Sequence, residues 1–199
     1  MTLPQPVPAD VVDDGRTMHE RMLAGESYVG DDGVAAEYHA GQELSRAYNA
    51  TSARETDLRA SLLRQMLGSV GESCEVRPPF HVDFGVRIHL GHHVFANFGL
   101  TVLDVAEVRI GDHVQIGPHV QLLTPTHPVD PDERRAAWES AKPITIDDNV
   151  WLGGGVIVCP GVTIGADTVV GAGSVVTRDL PSGVVAVGNP ARVVRSVRD

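Results

Sequence analysis

The chain has 199 residues and a formal net charge of −10, with 42% hydrophobic residues, 5% aromatics and 21 glycines. That length fits one large domain, or one domain with a small appendage. The acidity argues against a general binder of nucleic acid or of an anionic membrane, so an anionic ligand needs local positive charge. Abundant glycine with scarce aromatics suits tight, repeated turning of the backbone better than a large aromatic core.

Residues 1–16 (MTLPQPVPADVVDDGR) are rich in Pro and Asp and lack an apolar signal-peptide core, so a mobile tail is expected. Beyond it, Thr17-x-x-Glu20 and Ser52-x-x-Glu55 have capping-box spacing. Val34 to Tyr48 reads as an amphipathic helix, and Leu58, Leu62, Leu63, Met66 and Leu67 recur at helical spacing. About three helices are expected over 17–68, punctuated by Gly68 and Gly71. The segment 17–71 is too small to fold well alone and is expected to pack on the side of the C-terminal region. No stretch is long and apolar enough to span a bilayer.

From residue 72 to 199 an internal repeat governs the chain. Written in sixes from Ile146, the first position reads Ile146, Leu152, Val158, Ile164, Val170 and Val176. The second is usually small: Asp147, Gly153, Cys159, Gly165, Gly171, Thr177. The phase runs back through Ile116 to Ile110, and upstream a second register places Phe84, Leu90, Ala96 and Val102 at the first position. Two extra residues near Ala106–Val108 shift one register into the other. An aliphatic that faces inward every sixth residue fits one flat side of a triangular coil. Three sixes make a coil, and stacked coils bury a column of aliphatics while their backbones pair.

The repeat breaks between about 124 and 143, where Thr124-Pro125-Thr126-His127-Pro128 stands. An insertion in a solenoid is a loop that leaves the stack, and such loops commonly carry function. Prolines on both sides stiffen the approach to His127, and a histidine suits removal of a proton from an alcohol near neutral pH. A plain surface histidine is the competing reading. Trp151, at the sixth position of its hexapeptide, points away from the aliphatic column. Asn97 either meets a ligand or bonds its own turn. Arg178, Arg192, Arg195 and Arg198 outnumber Asp179 and Asp199 near the C-terminus, a local positive surplus suited to phosphate. Cys74 and Cys159 imply no disulfide framework and fit reduced thiols in a cytoplasm. The histidines at 89, 92, 93, 113 and 119 show no zinc-ligand spacing of the carbonic anhydrase type, and no metal is expected.

Ala96-Asn97-Phe98, the LTPTHP run to Pro128, Asn149-Val150-Trp151 and the VGNPAR run at 187–192 come one after another in order. Gly25-Glu26-Ser27-Tyr28, Arg59-x-x-Leu62-Leu63 and Leu67-Gly68-Ser69-Val70-Gly71 precede them. Together they resemble the maltose and galactoside O-acetyltransferases, nodulation-type sugar acetyltransferases included, over nearly everything after residue 17. The resemblance implies a left-handed parallel β-helix, a hand that periodicity alone does not give. It implies acetyl transfer from acetyl-CoA to a sugar or similar hydroxyl, without a covalent enzyme intermediate, with His127 as general base. It places Asn97, with Asp31 or Asp32, at the acceptor; an N-cap role explains either aspartate equally well. It places Trp151, Gly154, Ala172, Thr177, Arg178, Arg192 and Arg195 along the cofactor groove, with a serine in some relatives where Gly154 stands. It implies a homotrimer with active sites between subunits. A non-sugar alcohol such as serine or an antibiotic remains an alternative acceptor, and a γ-type carbonic anhydrase or a non-catalytic scaffold are alternatives of other kinds.

Overall fold

A computed structural model of the chain describes residues 3–199. Three helices open it: α1 (Met18–Leu23), α2 (Asp32–Asn49) and α3 (Thr56–Met66). The box at α1 forms as expected, with the Thr17 hydroxyl accepting the Glu20 N–H and the Glu20 carboxylate accepting the Thr17 N–H. At α3 only half of it forms. The Glu55 carboxylate accepts the Ser52 N–H, but Glu55 is itself the N-cap, with no side-chain cap bond, so the helix starts later than a Ser52 cap predicts.

The rest is the expected left-handed parallel β-helix. Its first face stacks Ser69–Val70, Ile88–Leu90, Val108–Ile110, Ile144–Ile146 and Thr163–Ile164. The second runs from Glu75–Val76 through Phe95–Ala96, Gln115–Ile116, Trp151–Leu152 and Val169–Val170 to Val184–Val187. The third stacks Phe80–Val82, Leu100–Leu103, Gln121–Leu123, Ile157–Val158 and Val175–Val176. Inward residues form continuous columns. On the second face Val76, Ala96, Ile116, Leu152, Val170 and Ala186 are all buried, each shielded by its neighbours above and below.

Register explains the two sequence phases. Thr145 pairs with Thr163 and Trp151 with Val169, eighteen residues on. Ser69 pairs with His89 and Ile88 with Val108, twenty residues on. The longer early coils carry their extra residues at the third corner, between the third and first faces. There the buried Asp104 carboxylate accepts N–H bonds from Asp83, Phe84 and Arg87, which satisfies a wider turn.

Both ends of the stack are closed. At the base, α2 lies on the first strand of the third face. Gln42 donates to the carbonyls of Val82 and Asp83, Ser45 to that of Phe80, and Asn49 pairs with both backbone groups of Phe80. Gly41 permits this approach, since a Cβ there would lie 2.4 Å from the Phe84 oxygen. At the top, Arg192–Ser196 runs antiparallel on Val184–Val187.

A second, smaller core holds the helical segment to the solenoid. It gathers Val11, Met18, Met22, Tyr28, Val29, Phe84, Val105 and Trp138. Residues 3–16, the described part of the expected tail, lie against it; Met1 and Thr2 fall outside the described residues. Val11 is buried there, and the fully buried Arg21 guanidinium bonds the Val12 carbonyl and the carboxylates of Asp14 and Glu26.

Candidate active site

The repeat breaks at the third corner, and the loop of 124–143 leaves the stack there. Thr124 anchors its start: buried, it donates its hydroxyl to the Leu103 carbonyl at 2.6 Å and accepts the Ala106 N–H at 3.0 Å. Pro125–Thr126 then pairs antiparallel with Ser140–Ala141, with Thr126 opposite Ser140. His127 follows directly, past the last pair of this ribbon. A short helix, α4 (Pro131–Arg135), crosses the tip, capped by Asp130. The His127 imidazole is exposed, and no side chain among the described residues bonds it. It is free to meet a ligand.

Beside the returning strand lies a cleft of about 560 Å³ lined by Tyr28, Asp31, Asp32, Tyr38, Asp83 and Glu139, among others. The Tyr28 hydroxyl donates to Glu139 at 3.0 Å, and the two backbones exchange both hydrogen bonds. Burial, reinforced by the charge of Glu139, raises the Tyr28 phenol above its usual range. Burial also pushes the Asp83 carboxyl up to about 6, with the negative charges of Asp104 and Glu139 adding to it. Asp32, Asp83 and Glu139 therefore offer acceptors for hydroxyl groups in this cleft.

The two sequence candidates at α2 separate here. Asp31 is the N-cap: it accepts the Val34 N–H at 2.9 Å and the His19 N–H at 3.2 Å. Burial pushes its carboxyl up, but these N–H donors outweigh it and hold Asp31 below the usual aspartate range. Asp32, in the first turn, borders the same cleft with no such bonds to its carboxylate among the described residues.

The other candidates gather at different corners. Asn97, Gly154 and Ala172 lie along the second corner, where its coils turn from the second face to the third. The Asn97 Oδ1 accepts the next N–H, that of Phe98, at 2.8 Å, so its own turn uses the oxygen while the amide nitrogen stays available. Gly153 and Gly155 donate to the carbonyls of Val170 and Pro118. Among the described residues, the Gly154 N–H between them has no such acceptor. Trp151 projects from the second face, 56% exposed, as its position in the repeat requires. Thr177 and Arg178 lie at the third corner near the top, and Arg192 and Arg195 on the closing strand, all exposed. His127 and Asn97 thus stand at two different corners of one chain.

Four other histidines have local partners. His93 and His113 stack with ring centroids 4.8 Å apart, His92 accepts the Glu72 N–H, and His89 bonds Glu107 at 2.8 Å. Among the described residues, no three His, Cys, Asp or Glu side chains are placed to hold a metal ion. Cys74 and Cys159 are free.

Comparison with known proteins places this geometry. Residues 21–71 match the maltose acetyltransferase hexapeptide capping motif, and 143–178 match six bacterial transferase hexapeptide repeats. The galactoside O-acetyltransferase of Escherichia coli K12 is 42% identical over 183 residues, 92% of this chain and 90% of its own. The chain belongs to the maltose and galactoside O-acetyltransferase family. The crystal structure of a maltose O-acetyltransferase from Clostridium difficile 630 superposes with a TM-score of 0.90 at 44% identity, covering 91% of this chain and 97% of that one. A hexapeptide-repeat acetyltransferase from Vibrio cholerae, solved with acetyl coenzyme A, gives 0.85 at 41% identity, covering 92% and 100%.

Within this family member, sequence reasoning passed over Tyr28, Asp83, Trp138 and Glu139. Asp83 stands in a widened corner and the last two in the inserted loop, where the six-residue period stops reporting which way a side chain points. The usable signal was position: every break in the repeat faces the same corner.

Proposed function

We propose that this protein transfers an acetyl group from acetyl-CoA to a hydroxyl of a sugar or similar small acceptor, with His127 as general base. The observation that carries it is the loop, which holds a free imidazole just past its outgoing strand and places Glu139 of its returning strand in a cleft lined with carboxylates. Relatives named for galactosides and maltose, and one solved with acetyl coenzyme A, support the two substrates.

The chain's own groups divide the work. His127 removes the proton as the acceptor oxygen attacks the thioester carbonyl directly, and no acyl-enzyme forms. The unpaired Gly154 N–H suits the oxygen that gains negative charge, because a glycine lets the ligand approach closely. Asp32, Asp83 and Glu139 accept hydrogen bonds from acceptor hydroxyls, and the Asn97 amide donates to one. Asp31 keeps α2 in place. Trp151 walls the channel of the pantetheine arm, Ala172 and Thr177 line its continuation, and Arg178, Arg192 and Arg195 meet its phosphates. Asn97 and Gly154 stand at the second corner and His127 at the third, so a complete site needs a neighbouring copy. The assembly we propose is a C3 homotrimer with its sites between subunits, in the cytoplasm, where free Cys74 and Cys159 persist.

The test is release of free CoA from acetyl-CoA with maltose, methyl β-galactoside and non-sugar alcohols as acceptors. Acceptor-dependent release is expected, and His127→Ala is expected to lose about 10²–10⁴-fold of it while staying folded. Equal activity in the variant would remove His127 from the mechanism. A folded, active monomer at micromolar concentration in sedimentation would remove the shared site.

A further inference from the structure

The loop bearing His127 has little to hold it. Its paired strands are two residues each, and α4 has no buried residue. A two-stranded ribbon of that length is not stable alone. Its return is fixed by the Glu139–Tyr28 bonds and by one large side chain, Trp138, which is fully buried and directly precedes Glu139.

Part of the seat of that anchor comes from the far end of the chain. The indole Nε1–H donates to the Pro6 carbonyl at 2.9 Å. Val11 is buried in the same cluster, with Leu3 and Val7 packed against it. The segment is itself fastened down: Asp10 accepts the Ser27 N–H, and Arg21 holds Val12 and Asp14. The stretch lies ahead of the family motif, which begins at residue 21.

We propose that residues 3–14 form a strap that seats Trp138, and that Trp138 is a positioning residue for His127. The path is short. Trp138 sets Glu139, Glu139 pairs with Tyr28, and the next residue, Ser140, pairs with Thr126, to which His127 is joined. Reactions of positioned groups lose rate steeply when geometry loosens by about 1 Å. The strap therefore acts on the chemical step, and the grip on acetyl-CoA, made by residues outside the loop, does not depend on it. This rests on the reading of His127 as general base.

The test uses the full chain carrying Val11→Asp, which places a charge in the strap's seat, with Val11→Ile as its conservative control. Amide hydrogen exchange over 124–141 is expected to speed up at least tenfold in Val11→Asp, with the strands of 144–176 unchanged. With acetyl-CoA and the faster of maltose and methyl β-galactoside, kcat is expected to fall at least tenfold and the KM for acetyl-CoA to stay within twofold. Val11→Ile is expected to keep both. Trp138→Phe, which removes the donor to Pro6 and trims the buried ring, is expected to show a smaller fall of about fivefold. Unchanged exchange in the loop would overturn the strap, and faster exchange with unchanged kcat would overturn its positioning role. If the protein with His127→Ala keeps full activity, the general-base reading fails instead, and the exchange result still decides whether the strap holds the loop.

Discussion

Asp83→Asn gives the sharpest test of the cleft's electrostatics. The Asp83 carboxyl is raised to about 6 by burial and by its acidic neighbours, against about 3.9 for a free aspartate. Folding therefore binds a proton between pH 4 and 6, and the unfolded chain does not. Stability contributed by the protonated form is present at low pH and is lost as pH rises through 6. Two units amount to about 3 kcal/mol at most, and partial solvent access reduces this to about 1–2 kcal/mol. Asparagine keeps the shape and removes the charge. At pH 8 the variant is expected to be more stable than the wild type by that 1–2 kcal/mol. At pH 3, below both values, the two are expected to coincide. Urea unfolding at fixed protein concentration, at both pH values, measures the difference. A variant less stable at pH 8, or a gain equal at both pH values, would refute the reasoning. Acceptor binding is expected to weaken at the same time, because one carboxylate oxygen of the cleft becomes an NH2 donor, and this appears in the KM for the sugar.

The geometry implies three further outcomes. Gly117→Ala places a Cβ 2.5 Å from the Gly154 nitrogen, so it is expected to lose about 1–3 kcal/mol in thermal unfolding and to raise the KM for acetyl-CoA. Arg178→Ala and Arg192→Ala are each expected to raise that KM about tenfold with kcat nearly unchanged, as initial rates would show, since a charge-assisted bond contributes about 1.5 kcal/mol. Thr17→Ala removes the cap of α1 and is expected to cost about 1 kcal/mol in thermal unfolding without altering kcat.

Most of the fold is legible because burial in a solenoid is periodic. Ile146, Leu152, Val158, Ile164 and Val170 announce their inward column, and Trp151 announces its exposure by falling outside it. His127 is legible for the opposite reason, as a histidine between prolines where the period stops. Asp83 and Glu139 carry no such mark. Each becomes part of the cleft only because a widened corner and a returning strand bring it beside Tyr28, contacts that span up to 111 residues of sequence. The segment 3–16 misleads through composition: Pro and Asp read as a tail, yet three spaced aliphatics, Leu3, Val7 and Val11, give it somewhere to lie. Asp31 and Asp32 look alike in sequence, and only the hydrogen bonds to Val34 and His19 tell the cap from the residue left facing the cleft.

The two closures of the solenoid decide what kind of object this protein is. A stack of coils that ended on bare strands would offer backbone donors and acceptors to the next molecule, and copies would add end to end into a fibre. Gln42, Ser45 and Asn49 occupy those groups on the lowest strand of the third face, and the strand of Arg192–Ser196 folds back over the uppermost one on the second. Growth along the axis is blocked, and the length of the particle is set by the chain itself. The trimer we propose then joins its copies by their flanks.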